Sequence, residues 1–161
     1  MLIVFFSNGG TALNLDNFFK KVYTVAFRLT GDENKAANLA YDAINSSSYT
    51  LNISDKVDSS ILNTSAKEVC RLFLSDYDMG NELFRSFEQN TNTYAHSFQN
   101  ALMSLSPLSR TLIVWRDVLG WSLKDLNVKG YNMKELYFEL NKGRRLIKEL
   151  LNEDFINETG A

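Results

Sequence analysis

From Leu15 onward, apolar residues recur at helical spacing. Leu15, Phe18, Phe19, Val22, Tyr23, Ala26 and Phe27 share one side of a 3.6-residue repeat. Asp16 lies near the start and Gly31 just past the end, so the pattern predicts a first helix here. Asp32 is placed to cap a second helix, whose stripe of Ala36, Leu39, Ala40, Ala43 and Ile44 runs until "NSSS" stops it. Its small side chains predict a close approach to a neighbour. Residues 45–57 are rich in Ser and Asn and read as irregular. A third helix is expected from about Ser59 to Leu74, through Ile61, Leu62, Ala66, Val69, Leu72 and Phe73.

The stretch "SDYDMGNELFRSFEQNTNTY" is polar and acidic, with a short helical piece around Leu83 to Phe87, and reads as a linker. Beyond it the spacing predicts a helix near Tyr94 to Leu105, a break at "SLSP", and a helix led by Pro107 through Leu108, Leu112, Ile113, Trp115, Val118 and Leu119. A short "SLKDLNV" helix, a "KGYN" turn and a long helix from about Met133 to Asn152 follow, the last striped by Met133, Leu136, Leu140, Ile147, Leu150 and Leu151. Short helix, glycine-containing turn and longer helix form a helix-turn-helix pattern. The expected fold is all-α: two small helical domains, 1–75 and 94–161, joined by a linker over 76–93.

Composition narrows the function classes. The 161 residues include one proline and eight glycines, and 45% are hydrophobic, which supports a helical chain with a real core. With 17 basic and 19 acidic residues the net charge is −2, so nucleic-acid contact has to come from a local patch. One cysteine, Cys70, excludes an internal disulfide and suits a reducing compartment. The opening "MLIVFFSNGG" is too short an apolar run to span a bilayer and lacks a basic start, so a cytoplasmic protein without membrane association is expected.

Two separated stretches resemble the small extracytoplasmic-function class of bacterial RNA polymerase sigma factors. "DNFFKKVYTVAFRLTGDENKAANLAYDAI" is similar to region two, an aromatic helix and "RLTGD" followed by a helix of the form D-A-E-D-L-V-Q-E-x-F. Ala36, Leu39, Asp42 and Ile44 match, while Asn38 replaces an acid and Tyr41 a glutamine. "ALMSLSPLSRTLIVWRDVLGWSLKDL" with "MKELYFELNKGRRLIKEL" resembles region four through Ala101, Leu102, Leu105, Pro107, Arg110, Gly120, Ser122, Asp125, Leu126, Leu140 and Arg144. The resemblance implies binding to the clamp of core RNA polymerase, opening of the minus-ten promoter element by the first domain and reading of the minus-thirty-five element by the second. It also admits an anti-sigma protein as controlling partner. Glu135 and Glu139 depart from the pattern, since acids near DNA phosphates repel, and the turn is about one residue short. The third helix lacks the tryptophan and basic cluster usual in region two.

Asn38, Leu39 and Asp42 are the candidate polymerase-docking residues. A surface pair at Asp42 is worth only about 0–1 kcal/mol, so Leu39 and its apolar neighbours are expected to carry the affinity. The same residues also fit an ordinary solvated helix face. Candidate DNA contacts are Lys67, Arg71, Lys134, Asn141, Lys142, Arg144, Arg145 and Lys148. Cations at 142–148 suit phosphates. They equally suit the C-terminal half of a helix and pairs such as Arg145 with Glu149. Lys67 and Arg71 form a like-charge i,i+4 pair, which favours a partner. Trp115 and Trp121 read as core and helix-junction residues, and Cys70 as a small buried apolar group. His96 has no nearby Asp, Ser or Cys constellation, Asp16, Asp32, Asp76 and Asp78 sit at helix starts or in the linker, and "SNGG" is no phosphate loop. No catalytic residues, metal or cofactor are expected. The expected function is sigma-factor-like transcription initiation; the alternative is a degenerate sigma-like regulator or adaptor that binds a protein partner without reading DNA.

Overall fold

A computed structural model describes residues 15–48, 59–78 and 98–158. The protein is all-α, with no strand among the described residues. The helices are α1 (Leu15–Thr30), α2 (Glu33–Ser48), α3 (Ser59–Asp78), α4 (Phe98–Met103), α5 (Pro107–Ile113) and α6 (Met133–Glu158). A π-helical stretch, Val114–Val118, extends α5, and a 3-10 turn, Leu123–Asp125, precedes α6. The N-terminal arm, the "ELF" piece and most of the expected linker lie outside the described residues; α3 itself passes the expected boundary at 75.

The α1 face toward the core is Phe18, Val22, Val25, Ala26 and Leu29, each at most 4% exposed. This is rotated from the expected stripe. Leu15 and Phe19 face solvent, while Tyr23 and Phe27 stack half-buried along the flank, their ring centroids 6.2 Å apart. At the end of α1, Gly31 takes φ +66° and its N–H returns to the Phe27 carbonyl at 2.8 Å, a left-handed helix stop. Asp32 then caps α2, its Oδ1 accepting from the Lys35 N–H at 2.8 Å. Ala36, Ala40 and Ala43 are buried where α2 packs on α1 and α3, as their size predicts.

Helix α2 continues through Asn45–Ser48, where an irregular segment is expected from composition. Ser47 sustains the turn by donating to the Ala43 carbonyl at 2.6 Å, and its hydroxyl meets that of Ser65 on α3 at 3.0 Å. Tertiary packing thus overrides weak propensity. On α3, Leu62, Ala66, Val69, Cys70 and Phe73 are buried in helical register.

Helix α5 is buried on every side, from Leu108 to Trp115. Ser106 caps it, accepting from the Ser109 N–H at 3.2 Å, ahead of Pro107 at the first turn. Helix α6 packs on α5 through Leu136, Leu140, Gly143 and Ile147. A Cβ at Gly143 would lie 3.3 Å from the Ser109 Cβ and 3.4 Å from Ile113 Cγ1, so the bare backbone sets the spacing of the two helices.

The expected "SLKDLNV" helix is only the three-residue 3-10 turn. Leu126 already has extended backbone (φ −98°, ψ 104°), and Leu126 and Val128 are buried two residues apart, as in a strand-like segment. Asn127, β-branched Val128 and Gly130 (φ +84°) all disfavour continuing the helix. The two-helix form of a helix-turn-helix is therefore absent from this segment.

One buried core runs through helices of both halves, with α1 touching α4 and α5, and α3 touching α5. Gln99 donates to the Phe27 carbonyl at 3.1 Å while accepting from Arg28 at 3.0 Å. Arg110 on α5 is 4% exposed and surrounded by carbonyls: Leu29 at 2.7 Å, Leu102 at 2.9 Å, and Met103 and Leu105 at 3.0 Å. These are the carbonyl-bearing C-terminal ends of α1 and α4, whose partial negative charge stabilises the guanidinium. Burial lowers its pKa to about 10, which leaves it charged at neutral pH.

Candidate functional site

Two surfaces hold the residues singled out in the sequence. The first is the outward side of α2. With Ala36, Ala40 and Ala43 turned inward, the helical repeat sets Asn34, Ala37, Asn38, Tyr41, Asp42 and Asn45 toward solvent. Neither Asn38 nor Asp42 has a hydrogen bond or ion pair among the described residues. Leu39 is half-buried and packs against the protein's own core. The docking residues therefore share one helix, but Leu39 belongs partly to the interior.

The second surface comprises cations on α3 and α6. On α3, Lys67 is half-buried with its ammonium 5.8 Å from the Trp115 ring centroid and 5.6 Å from that of Trp121. Such placement over indole faces is a favourable cation–π arrangement. Trp115 is 2% exposed and donates its Nε1–H to the Ser122 carbonyl at 2.9 Å, while Trp121 meets it edge-on at 4.8 Å. The expected core and junction roles of the two tryptophans hold. Arg71 grips Glu68 in a bidentate pair, Nε to Oε2 at 2.8 Å and Nη2 to Oε1 at 2.6 Å. The Arg71 bonds hold the Glu68 carboxyl below its usual range against a partial desolvation, with help from the Ser46 hydroxyl at 2.8 Å.

Between α3 and the segment before α6 lies an open groove of about 680 Å³, bordered by Lys67, Glu68, Arg71, Trp115, Asp125 and Lys129 among others. The structure thus brings Lys67 and Arg71 together with Lys129, a cation the sequence pattern did not single out.

On α6 the acids that depart from the family pattern have structural work. Asn132 and Glu135 form a reciprocal cap: the Glu135 N–H donates to Asn132 Oδ1 at 3.1 Å, and the Asn132 N–H to Glu135 Oε2 at 2.7 Å. Glu139 accepts from the Ser109 hydroxyl of α5 at 3.0 Å and lies 3.7 Å from Lys142. Arg144 is paired bidentately with Asp117, at 2.9 and 2.5 Å, and this partner raises its pKa further. It also reaches Asn141 Oδ1 at 3.5 Å. Arg145 pairs with Glu149 at 3.7 Å, as its spacing predicts. Lys134 and Lys148 are exposed, with no ion pair among the described residues.

Cys70 is fully buried, and burial pushes its thiol up to about 12, far from a reactive thiolate. Among the described residues no group of three or more His, Cys, Asp or Glu side chains is arranged to hold a metal ion, and no helix is long and apolar enough to cross a membrane. His96 lies outside the described residues. Arg110 was visible in the sequence only as a family-pattern match. The Asn132–Glu135 cap is a readable N-x-x-E signature, whereas the Asp117 partner of Arg144 leaves no local trace. Comparisons with family models, curated proteins and solved structures give no match.

Proposed function

We propose that this protein is a sigma-factor-like transcription protein that binds core RNA polymerase and directs it to promoter DNA. The observation that carries the reading is α2. Its outward face, with Asn38 and Asp42 lacking internal partners, falls where the region-two resemblance puts polymerase docking. The mechanism is recruitment and positioning in the cytoplasm, without covalent chemistry. Lys67 and Arg71 on α3, and Lys134, Asn141, Lys142, Arg144, Arg145 and Lys148 on α6, are the proposed DNA contacts. Each exposed ion pair there is worth roughly 0–1 kcal/mol, so phosphates can compete with the internal carboxylates. Pull-down with core polymerase should recover the wild-type chain, and promoter-dependent transcription in vitro should follow on adding it. Failure of wild type to bind removes the docking reading.

A second reading is a sigma-like regulator or adaptor that engages a protein partner, an anti-sigma protein included, without reading DNA. It is favoured by the internal pairing of the cations: Arg71 with Glu68, Lys142 with Glu139, Arg144 with Asp117 and Arg145 with Glu149. Binding to core polymerase without initiation selects this reading. Salt-dependent promoter binding in the holoenzyme, lost on joint Lys142→Ala and Arg144→Ala substitution, rejects it.

A further inference from the structure

Among the described residues seven large apolar side chains are exposed, and they gather at α6: Tyr137, Phe138 and Leu151 lie on it and Tyr131 just before it. Phe138 is the most exposed of the seven, at 70%. Leu136, Leu140 and Ile147 take the buried side of the helix, so packing on α5 does not call for a phenylalanine at 138. Around its ring the helical repeat sets Lys134, Glu135, Asn141 and Lys142, three and four residues away and all exposed. Glu135 is held to the start of the helix by the Asn132 N–H at 2.7 Å, and Glu139 is turned toward Ser109 of α5. From Lys134 to Glu149 the exposed side of α6 carries five cations against two acids, Glu135 and Glu149, in a chain whose net charge is −2. Lys134 and Lys148, about 21 Å apart along the axis, have no ion pair among the described residues.

This setting chooses among occupants. A protein partner receives an anchor ring at a centre cleared of Lys and Glu, and the surroundings of Phe138 are not cleared. A membrane surface takes a helix with a continuous apolar face and its charges opposite, whereas here ring and cations share one face. A nucleic acid suits both together. Its protein interfaces are polar and strongly positive, and an aromatic ring among cations is a platform for a base. A duplex offers side chains the edges of its bases, so a ring stacks where the bases are unpaired.

We propose that the exposed face of α6 binds single-stranded nucleic acid, with Phe138 stacking on an unpaired base while Lys134, Lys142 and Lys148 neutralise phosphates to either side. This rests on reading the α6 cations as nucleic-acid contacts, and adds the form of the strand and the ring that meets it.

The test is fluorescence anisotropy of the full chain with a labelled single-stranded DNA oligonucleotide of about 16 nucleotides, and with the blunt duplex of the same sequence, at matched salt. Wild type should bind the single strand about tenfold more tightly than the duplex. Phe138→Ala and Phe138→Leu should each weaken single-strand binding by about tenfold, and Phe138→Trp by less than about threefold. The Leu variant keeps apolar bulk without a planar ring and so separates stacking from simple apolar contact; circular dichroism should be unchanged in all three. Joint Lys134→Ala and Lys148→Ala substitution should flatten the salt dependence. Wild-type single-strand affinity in both Phe138→Ala and Phe138→Leu overturns the inference. Duplex binding as tight as single-strand binding also overturns it and leaves the promoter reading standing. Wild type that binds neither oligonucleotide overturns the nucleic-acid reading of α6 with it, and binding instead to vesicles of equal parts phosphatidylcholine and phosphatidylserine assigns the face to a lipid surface.

Discussion

The outward faces of α2 and α6 are both solvent-exposed, and they differ in whether their polar groups are already engaged. On α2, Asn38 and Asp42 have no partner within the described residues. On α6, Lys142, Arg144 and Arg145 each meet a carboxylate of the same chain. A phosphate at Lys142, Arg144 or Arg145 must displace an existing partner, whereas Lys134 and Lys148 on α6 and Asn38 and Asp42 on α2 have none to displace among the described residues.

The most severe way to break the comparison is to remove what both surfaces rest on. Arg110→Met removes the guanidinium from which four carbonyls around the ends of α1 and α4 accept, and should cost about 3 kcal/mol or more of unfolding free energy by denaturant titration. Both faces should lose function together. Gly143→Leu acts on one side of the comparison. It forces side-chain volume into the α5–α6 contact, where even a Cβ meets Ser109 at 3.3 Å, and should cost about 1–3 kcal/mol, seen as a lowered midpoint. Polymerase binding by the folded fraction should survive it better than any DNA contact.

Asp117→Ala sharpens the comparison. It frees Arg144 from its bidentate partner, and loss of this exposed pair should change stability by no more than about 1 kcal/mol. On the promoter-binding reading it should strengthen duplex binding and steepen its salt dependence, measured by anisotropy over a salt series. Unchanged binding would place DNA elsewhere or nowhere.

The smallest expected effect concerns pH. The Glu68 carboxyl is depressed in the folded protein, first by its bonds to Arg71, so its protons bind less readily folded than unfolded. That stabilisation is complete above the ordinary carboxylate value of 4.5 and fades as pH falls through the lower folded value. Glu68→Gln should therefore lower stability slightly at neutral pH and flatten the acid limb, the variant and wild type converging as pH falls below the carboxylate range.

Much of the fold was legible because apolar spacing is a local signal. The stripe of α3, the stripe of α6 apart from Leu151, which is exposed, the alanine face of α2, the Gly31–Asp32 junction and the Pro107 start appear where the residues put them. The 3-10 turn was misread because Leu123 and Leu126 fit a helical repeat, and only the burial of Val128 two residues later reveals the extended chain. For the candidate surfaces the sequence identified the cations and could not reveal their engagement. Asp117 lies 27 positions from Arg144, and the carbonyls around Arg110 are backbone atoms, which every sequence contains.

The guanidinium of Arg110 has one more consequence, for how the chain holds together in time. With Gln99 it completes a helix end that belongs to a distant part of the sequence, so α1 reaches its final hydrogen bonding only when the second half is in place. Neither half finishes alone. Loosening at this one buried charge is felt in α1 and in α4 alike, which makes folding here a joint event of the two halves.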